Sequence, residues 1–295
     1  MRFDYLTNLF YCCTLFVSLS LFASCETSED DIPSYVSVDS ISLVSELKEG
    51  TASHKITDAW VYINKKLVGA FEMPAKFPVL EEGASTIIIQ PGVKMNGVAG
   101  TRIPYPFFNQ ITLNANLAKE KITSLGNLQT TYNPNTVFSW VEDFENSSFS
   151  LDSTSRSNVN AVRTNDETRI FKYPGEISHY SALAEFTGES TVFECVSHSS
   201  FELPQDGTEV FLELNYKTNT PLTIGVFGRT ATQTIQEPVF VLNANSTWNK
   251  IYINLTPTVT NMSSSYDFRI YFSAMKSDDI ETAEILLDNI KLLHF

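Results

Sequence analysis

Three observations on the 295-residue chain predict an all-β fold. Residues that suit a pleated, half-buried surface are abundant, with 21 Phe and 12 Tyr beside many Val, Ile and Thr. They fall in short runs punctuated by Asn, Gly, Pro and Ser, the residues of turns. No long segment carries the apolar period of a helix; the best helix candidate, residues 114–121, is short and flanked by strand-like segments. The length suits about two domains.

The chain opens on an export pattern. Arg2 supplies a thin positive start, weakened by Asp4, and an apolar run follows over residues 9–23, interrupted by Thr14, Ser18 and Ser20. The run is shorter than the roughly 20 residues a membrane-spanning helix needs and fits a cleaved signal peptide over residues 1–24. Its end, Leu21-Phe22-Ala23-Ser24-Cys25, resembles the lipobox of bacterial lipoproteins, although Phe22 stands where Leu, Val or Ile is usual. That resemblance implies acylation of Cys25, which becomes the new N-terminus and anchors the chain to a membrane. Glu26-Thr27-Ser28-Glu29-Asp30-Asp31 carries four acids and no base, so residues 25–32 read as a lipidated cysteine and solvated tether. The acidic run also resembles the export signal of Bacteroidota surface lipoproteins, implying the outer membrane and its exterior face; a plain spacer is the alternative.

Strands of a first module, residues 33–132, are read at 36–44, 58–63, 67–72, 85–90 and 111–117. Asn64-Lys65-Lys66 joins two of them as a hairpin, and the run Thr86-Ile87-Ile88-Ile89 is apolar on both faces, as in a central strand. The order Ala59-Trp60-Val61-Tyr62-Ile63-Asn64-Lys65-Lys66-Leu67-Val68-Gly69, then prolines, Leu80-Glu81-Glu82-Gly83 and an apolar strand ending near Pro91-Gly92 resembles a PEGA-type domain. This implies a small Ig-like β-sandwich with no catalytic residues. Next, Arg102-Ile103-Pro104-Tyr105-Pro106-Phe107-Phe108 forbids a central strand; its rings either cap the sandwich or form an exposed patch.

Asn133-Pro134-Asn135 marks a boundary. Over residues 133–295, strands recur at 137–144, 182–185, 191–196, 209–216, 223–227, 239–242, 248–255, 268–274 and 284–292, with a Ser/Asn/Asp-rich surface loop expected at 147–165. Short strands at this density indicate a sandwich or jelly roll. Phe144-Glu145, Trp248-Asn249-Lys250-Ile251-Tyr252-Ile253-Asn254-Leu255 and Leu286-Leu287-Asp288-Asn289-Ile290 resemble the first, middle and last strand motifs of jelly-roll carbohydrate-binding modules and related galactose-binding-like domains. That resemblance implies glycan binding and a structural calcium ion held by Glu145 and Asp288; the alternative is a turn cap at Asp288 and a solvated Glu145.

A sugar site needs rings for stacking and polar groups for hydroxyls. The candidates are Tyr173, Tyr180, Phe171 and the pair Arg269 and Tyr271, which alternation puts on one strand face opposite Phe268, Ile270 and Phe272. Trp248 reads as core with Ile251, Ile253 and Leu255, and Cys195 as a small core residue. The net charge of −14 disfavours nucleic acid as a partner. The four histidines lack metal-ligand spacing, no nucleophile elbow or phosphate loop occurs, and the acidic clusters Glu142-Asp143-Glu145 and Asp278-Asp279-Glu281 do not define a facing pair. The expectation is a non-enzymatic surface lipoprotein whose C-terminal jelly roll binds a polysaccharide. The rival is a structural or adhesive subunit that engages another surface protein.

Overall fold

The structure, a computed structural model, describes residues 32–176, 178–277 and 280–295. The expected leader, Cys25, the acidic run at 26–31 and the Asp278-Asp279 pair lie outside the described residues. Among those described, the chain is all-β, with twenty-one strands and one short α-helix.

The N-terminal strands are β1 (Ser34–Val38), β2 (Ser40–Val44), β3 (Asp58–Ile63), β4 (Lys66–Glu72), β5 (Ala75–Val79), β6 (Gly83–Lys94), β7 (Arg102–Pro104), β8 (Ile111–Leu117), β9 (Ile122–Ser124) and β10 (Asn127–Thr131). One layer has β6 at its centre, paired with β3, β7 and β8, and β4 beyond β3. The facing layer pairs β1 with β5 and β9, and β2 with β10. Residues 36–44, read as one strand, are two. Val36 and Val38 are buried before the break at Asp39, and Ile41 and Leu43 after it, so one extra residue swaps which parity faces the core. The helix candidate at 114–121 is not helical: its first half is the end of β8 and the rest is the turn that leads into β9. The hairpin turns on Asn64 and Lys65, both at positive φ (50° and 69°), as a two-residue turn matching strand twist requires. β6 is central as expected, but it buries Ile87 and Ile89 while Ile88 stays half-buried on the other face.

The C-terminal strands are β11 (Val137–Glu142), β12 (Leu151–Ser153), β13 (Val162–Thr164), β14 (Ser181–Glu185), β15 (Val192–Ser197), β16 (Val210–Thr218), β17 (Leu222–Arg229), β18 (Thr234–Leu242), β19 (Asn245–Asn254), β20 (Asp267–Met275) and β21 (Glu284–His294), with α1 (Thr256–Asn261) before β20. They form a jelly-roll sandwich of two sheets. The six-stranded sheet runs β13-β14-β21-β16-β19 with β11 also on β21, and the five-stranded sheet runs β12-β15-β20-β17-β18. Between them lie Phe193, Cys195, Leu212, Leu214, Ile224, Val226, Ile253, Ile270, Phe272 and Leu292. Burial pushes the Cys195 thiol pKa up, as befits an inert core residue. The loop expected over 147–165 contains β12 and β13, which are too short and polar to signal themselves.

The two sets of sheets meet across a sealed surface. The outer face of the six-stranded sheet contributes Phe211, Tyr252 and Leu293 to the N-terminal core. Tyr105 and Phe107, from the proline-aromatic stretch, pack edge-on against Phe211, and Phe107 stacks on Phe295. Those rings therefore cap the first sandwich and also join it to the second. Under them lies a buried polar cluster. Glu213 accepts from Tyr105 Oη at 2.9 Å and from Tyr132 Oη at 3.1 Å, and pairs with Lys250 at 3.0 Å. Lys291 donates to the Thr51 carbonyl at 2.6 Å and to Tyr132 Oη at 3.2 Å.

Candidate functional site

With one face of the C-terminal sandwich sealed, the outer face of the five-stranded sheet remains open. Period-two alternation sends Ile224 and Val226 of β17 inward and Thr223, Gly225, Phe227 and Arg229 outward. On β20 it sends Phe268, Ile270 and Phe272 inward and Asp267, Arg269 and Tyr271 outward. Register aligns Phe227 with Arg269 and Arg229 with Asp267 across β17 and β20. A groove of about 440 Å³ opens here, lined by Thr154, Val196, His198, Ser200, Phe227, Arg229, Thr234, Asp267 and Arg269.

Its charged groups are held from behind. Arg229 makes a two-point contact with Asp267, including Nε to Oδ1 at 3.0 Å, the fork geometry guanidinium and carboxylate favour. The same guanidinium lies 4.9 Å from the ring of Tyr266, which is 52% exposed beside the groove. Arg269 donates from Nε to the Ser197 carbonyl at 2.6 Å and from Nη2 to Asp152 at 3.0 Å and the His198 carbonyl at 3.2 Å. Asp152 also meets His198 Nδ1 at 3.1 Å, and that hydrogen bond, with the Arg269 contact, lowers its pKa. Deeper in, the buried Glu194 accepts from Thr154 Oγ1 at 2.7 Å and Gln236 Nε2 at 3.0 Å, with Arg156 at 3.7 Å. The ring of Phe227 stays half-exposed in the middle. What the face offers is one apolar platform ringed by oriented donors, with its carboxylates already engaged by bases.

The predicted site residues do not converge here. Arg269 lines the groove, but Tyr271 is only 2% exposed. Its ring tilts against Phe227 at 5.0 Å and lies across Gly225, where an added Cβ would come within 2.4 Å of it. The expected exposed pair is thus one groove residue and one buried support. Tyr173 and Tyr180 lie elsewhere, in the segment between β13 and β14: Tyr180 lies under the Arg163 guanidinium at 3.7 Å, and Tyr173 stacks on Phe171. Trp248 is not core either. It shares parity with Tyr252, opposite Ile251 and Ile253, and its half-buried indole packs edge-on against Phe171. Phe227, Arg229, His198 and Asp267 were missed; extending the alternation of residues 223–227 by two would have placed Phe227 and Arg229 together, but no sequence signal pairs β17 with β20.

Glu145 and Asp288 come to one small slot of about 50 Å³, lined by Thr51, Asp143, Glu145, Phe171, Tyr173, Glu176, Ser178, Asp288 and Asn289. It sits where β14 stops and β11 begins along β21: Leu287 is the last partner matched to Ala182, and Ile290 the first matched to Glu142. Asn289, at φ 48°, marks the irregularity between. Asp288 accepts from Ser181 Oγ at 2.5 Å and from the Asn289 N–H at 2.7 Å. Burial first, then repulsion from Glu145 and Asp143, holds its carboxyl well above the usual range. Glu145 accepts the His179 N–H at 2.8 Å and the Tyr180 N–H at 3.0 Å. Glu176 Oε2 is buried without a hydrogen-bond partner. Crowded carboxyls and an orphaned oxygen fit a hard cation, although among the described residues no group of three or more His, Cys, Asp or Glu side chains is placed to hold a metal ion.

No protein-family model matches the sequence, and no curated protein matches it. Several solved structures are similar in architecture. One, solved for the promiscuous specificity of carbohydrate-binding modules of the β-sandwich superfamily, is 11% identical with a TM-score of 0.38, covering 80% of this chain and 86% of that one. The family 11 carbohydrate-binding module of a Clostridium thermocellum cellulosomal cellulase is 14% identical with a TM-score of 0.35, covering 52% of this chain and 92% of that one. The enzymatically active domain of tailspike protein 4 of bacteriophage CBA120 is 15% identical with a TM-score of 0.40, covering 60% of this chain and 26% of that one. Likeness this distant carries no argument about ligand or chemistry, and a binding module and an enzymatic domain both occur within it.

Proposed function

We propose that this chain is a surface lipoprotein, anchored through Cys25 to the outer membrane and facing the exterior, that binds a glycan without cleaving it. The groove on the outer face of the five-stranded sheet is the binding site. The observation that carries this reading is the combination of a half-exposed Phe227 ring with oriented polar groups around an open groove of about 440 Å³, the pairing sugar faces and hydroxyls require. Asp267 in the groove and Asp152 behind it are tied to Arg229, Arg269 and His198. The contacts with His198 and Arg269 hold the Asp152 carboxyl below its usual range, which suits recognition better than proton transfer at that carboxylate, because a general acid needs a raised pKa. The adhesive alternative called for exposed aromatic runs at a sheet edge. Among the described residues the large apolar side chains left exposed are scattered, and the aromatic one among them, Tyr266, stands beside the groove.

Affinity electrophoresis of residues 26–295, which contain every described strand, through a polysaccharide panel tests the reading. Retardation by a polysaccharide is expected, and Phe227→Ala or Arg269→Ala removes it. A chain that no polysaccharide retards, or variants that bind as the parent does, overturns it. Within the same reading, Glu145 and Asp288 would hold a structural calcium ion. Calcium is then expected to raise Tm by a few degrees relative to chelator, in line with ligand linkage, and Asp288→Asn to abolish that difference. A Tm indifferent to calcium removes the ion from the proposal.

A further inference from the structure

Building on the glycan reading, we infer that the groove selects an acidic sugar, taking a uronate carboxylate between Arg229 and Arg269. The two arginines stand on neighbouring strands of one sheet face. Register places Arg229 opposite Asp267 and Arg269 opposite Phe227, so they are diagonal neighbours, about 7–8 Å apart between backbones and within joint reach of one planar anion.

Each guanidinium is anchored through the same two nitrogens. Arg229 commits Nε and Nη2 to Asp267, and Arg269 commits Nε and Nη2 to Ser197, His198 and Asp152. The Nη1 group of each takes no acceptor among the described residues, leaving two N–H donors apiece on side chains that line the groove. A guanidinium fixed from behind loses little side-chain freedom when it accepts a second partner, and its planar donors match a carboxylate better than a hydroxyl. The acceptors nearby are already engaged: Asp267 is only 7% exposed behind Arg229, and Asp152 holds His198 and Arg269. A neutral sugar, whose hydroxyls both donate and accept, would leave these donors underused; a uronate fills them while Phe227 takes the ring face.

The counter-charges Asp152 and Asp267 balance the arginines, and the chain as a whole carries −14. Selection therefore rests on short, directed hydrogen bonds rather than on long-range attraction, and short oligosaccharides are better probes than polyanionic polymers. The test is isothermal titration of residues 26–295 with galacturonate, glucuronate and mannuronate trimers, each beside its methyl ester, in which the skeleton is kept and the charge removed. At least one acid trimer is expected to bind tenfold or more tightly than its ester. Arg229→Gln and Arg269→Gln should each erase that preference, whatever they cost in affinity for the ester, and Phe227→Ala should lose binding of acid and ester alike. Arg229→Gln combined with Asp267→Asn guards against leaving Asp267 unpaired. Equal binding of acid and ester, or a preference that survives both arginine variants, overturns the acidic-sugar inference and leaves glycan binding standing. A sulfated neutral trimer is titrated alongside, and binding of that trimer alone overturns the carboxylate assignment. Silence from every trimer and from the polysaccharide panel overturns the glycan reading itself.

Discussion

The two outer faces of the C-terminal sandwich carry similar residues and put them to different uses. The six-stranded face bears Glu213, Lys250 and Lys291, each at most 5% exposed, and its partners come from the other half of the chain. The five-stranded face bears Arg229, Arg269, Asp267 and Asp152, which pair largely within their own sheet and leave guanidinium edges toward a groove. On the sealed face the charges answer one another beneath Tyr105, Tyr132 and Phe107. On the open face they are oriented but unfinished. What separates the two faces is the covering: the same residue types become fasteners under an aromatic layer and stay open to solvent without one.

Removing a charge from the sealed face should have the largest effect. Glu213→Gln keeps the shape but leaves Lys250 without its carboxylate, and breaking a buried pair costs about 3–5 kcal/mol. Urea unfolding at pH 7 reads this directly; a loss below about 1 kcal/mol would mean that the sealed ions do not fasten the two halves.

Second in size is a pH dependence from Lys291. Burial, with the nearby Lys250, lowers its pKa to about 7, against the pull of Glu213, Glu176 and Glu49. Below pH 7 the amine is protonated whether the chain is folded or not. Above it, the folded chain has released that proton while the unfolded chain keeps it to about pH 10.4, so the unfolded state binds more protons and stability rises with pH. The slope reaches up to about 1.4 kcal/mol per pH unit between pH 7 and 9. Lys291→Met should flatten it. A parent chain with no such rise would show that Lys291 stays charged in its burial and is fully compensated there. His54, lowered to about 4 by burial, acts by the same sign in a separate acid window between about pH 4 and 6.5.

The sealed face also shows what the sequence could and could not say. Alternation in Phe268, Ile270 and Phe272 was enough to find the inward side of β20 and to set Arg269 outward. The turn residues Asn64 and Lys65 were enough to find a hairpin. Nothing local told that the rings of 105–108 would land on Phe211 and Phe295, because that contact joins segments more than a hundred residues apart. Tyr271 was misjudged for the same reason: its parity is outward, and its burial comes from Gly225 and Phe227 on another strand. Trp248 failed on counting alone, since an even position cannot share a strand face with 251 and 253. The groove combines β15, β17, β18 and β20, and strand order in a sandwich of this kind leaves no mark in any single window of sequence.

The smallest expected effect on stability is on the open face. Phe227 is half-exposed and lies outside the sandwich core, so Phe227→Ala should cost about 1 kcal/mol or less, most of it from contact with Tyr271. Tyr252→Ala on the sealed face, where the ring is 2% exposed and its hydroxyl accepts the Lys55 N–H at 2.8 Å, should cost about 3–5 kcal/mol, as large aromatic deletions do. Glycan retardation should respond in the opposite order at temperatures where both variants remain folded: lost in Phe227→Ala and kept in Tyr252→Ala. Equal stability losses would mean that Phe227 is a packing residue and the groove an accident of the sheet's twist. Unequal losses with binding lost only in Phe227→Ala would divide the sandwich as its burial does, into one face that holds the molecule together and one that meets its ligand.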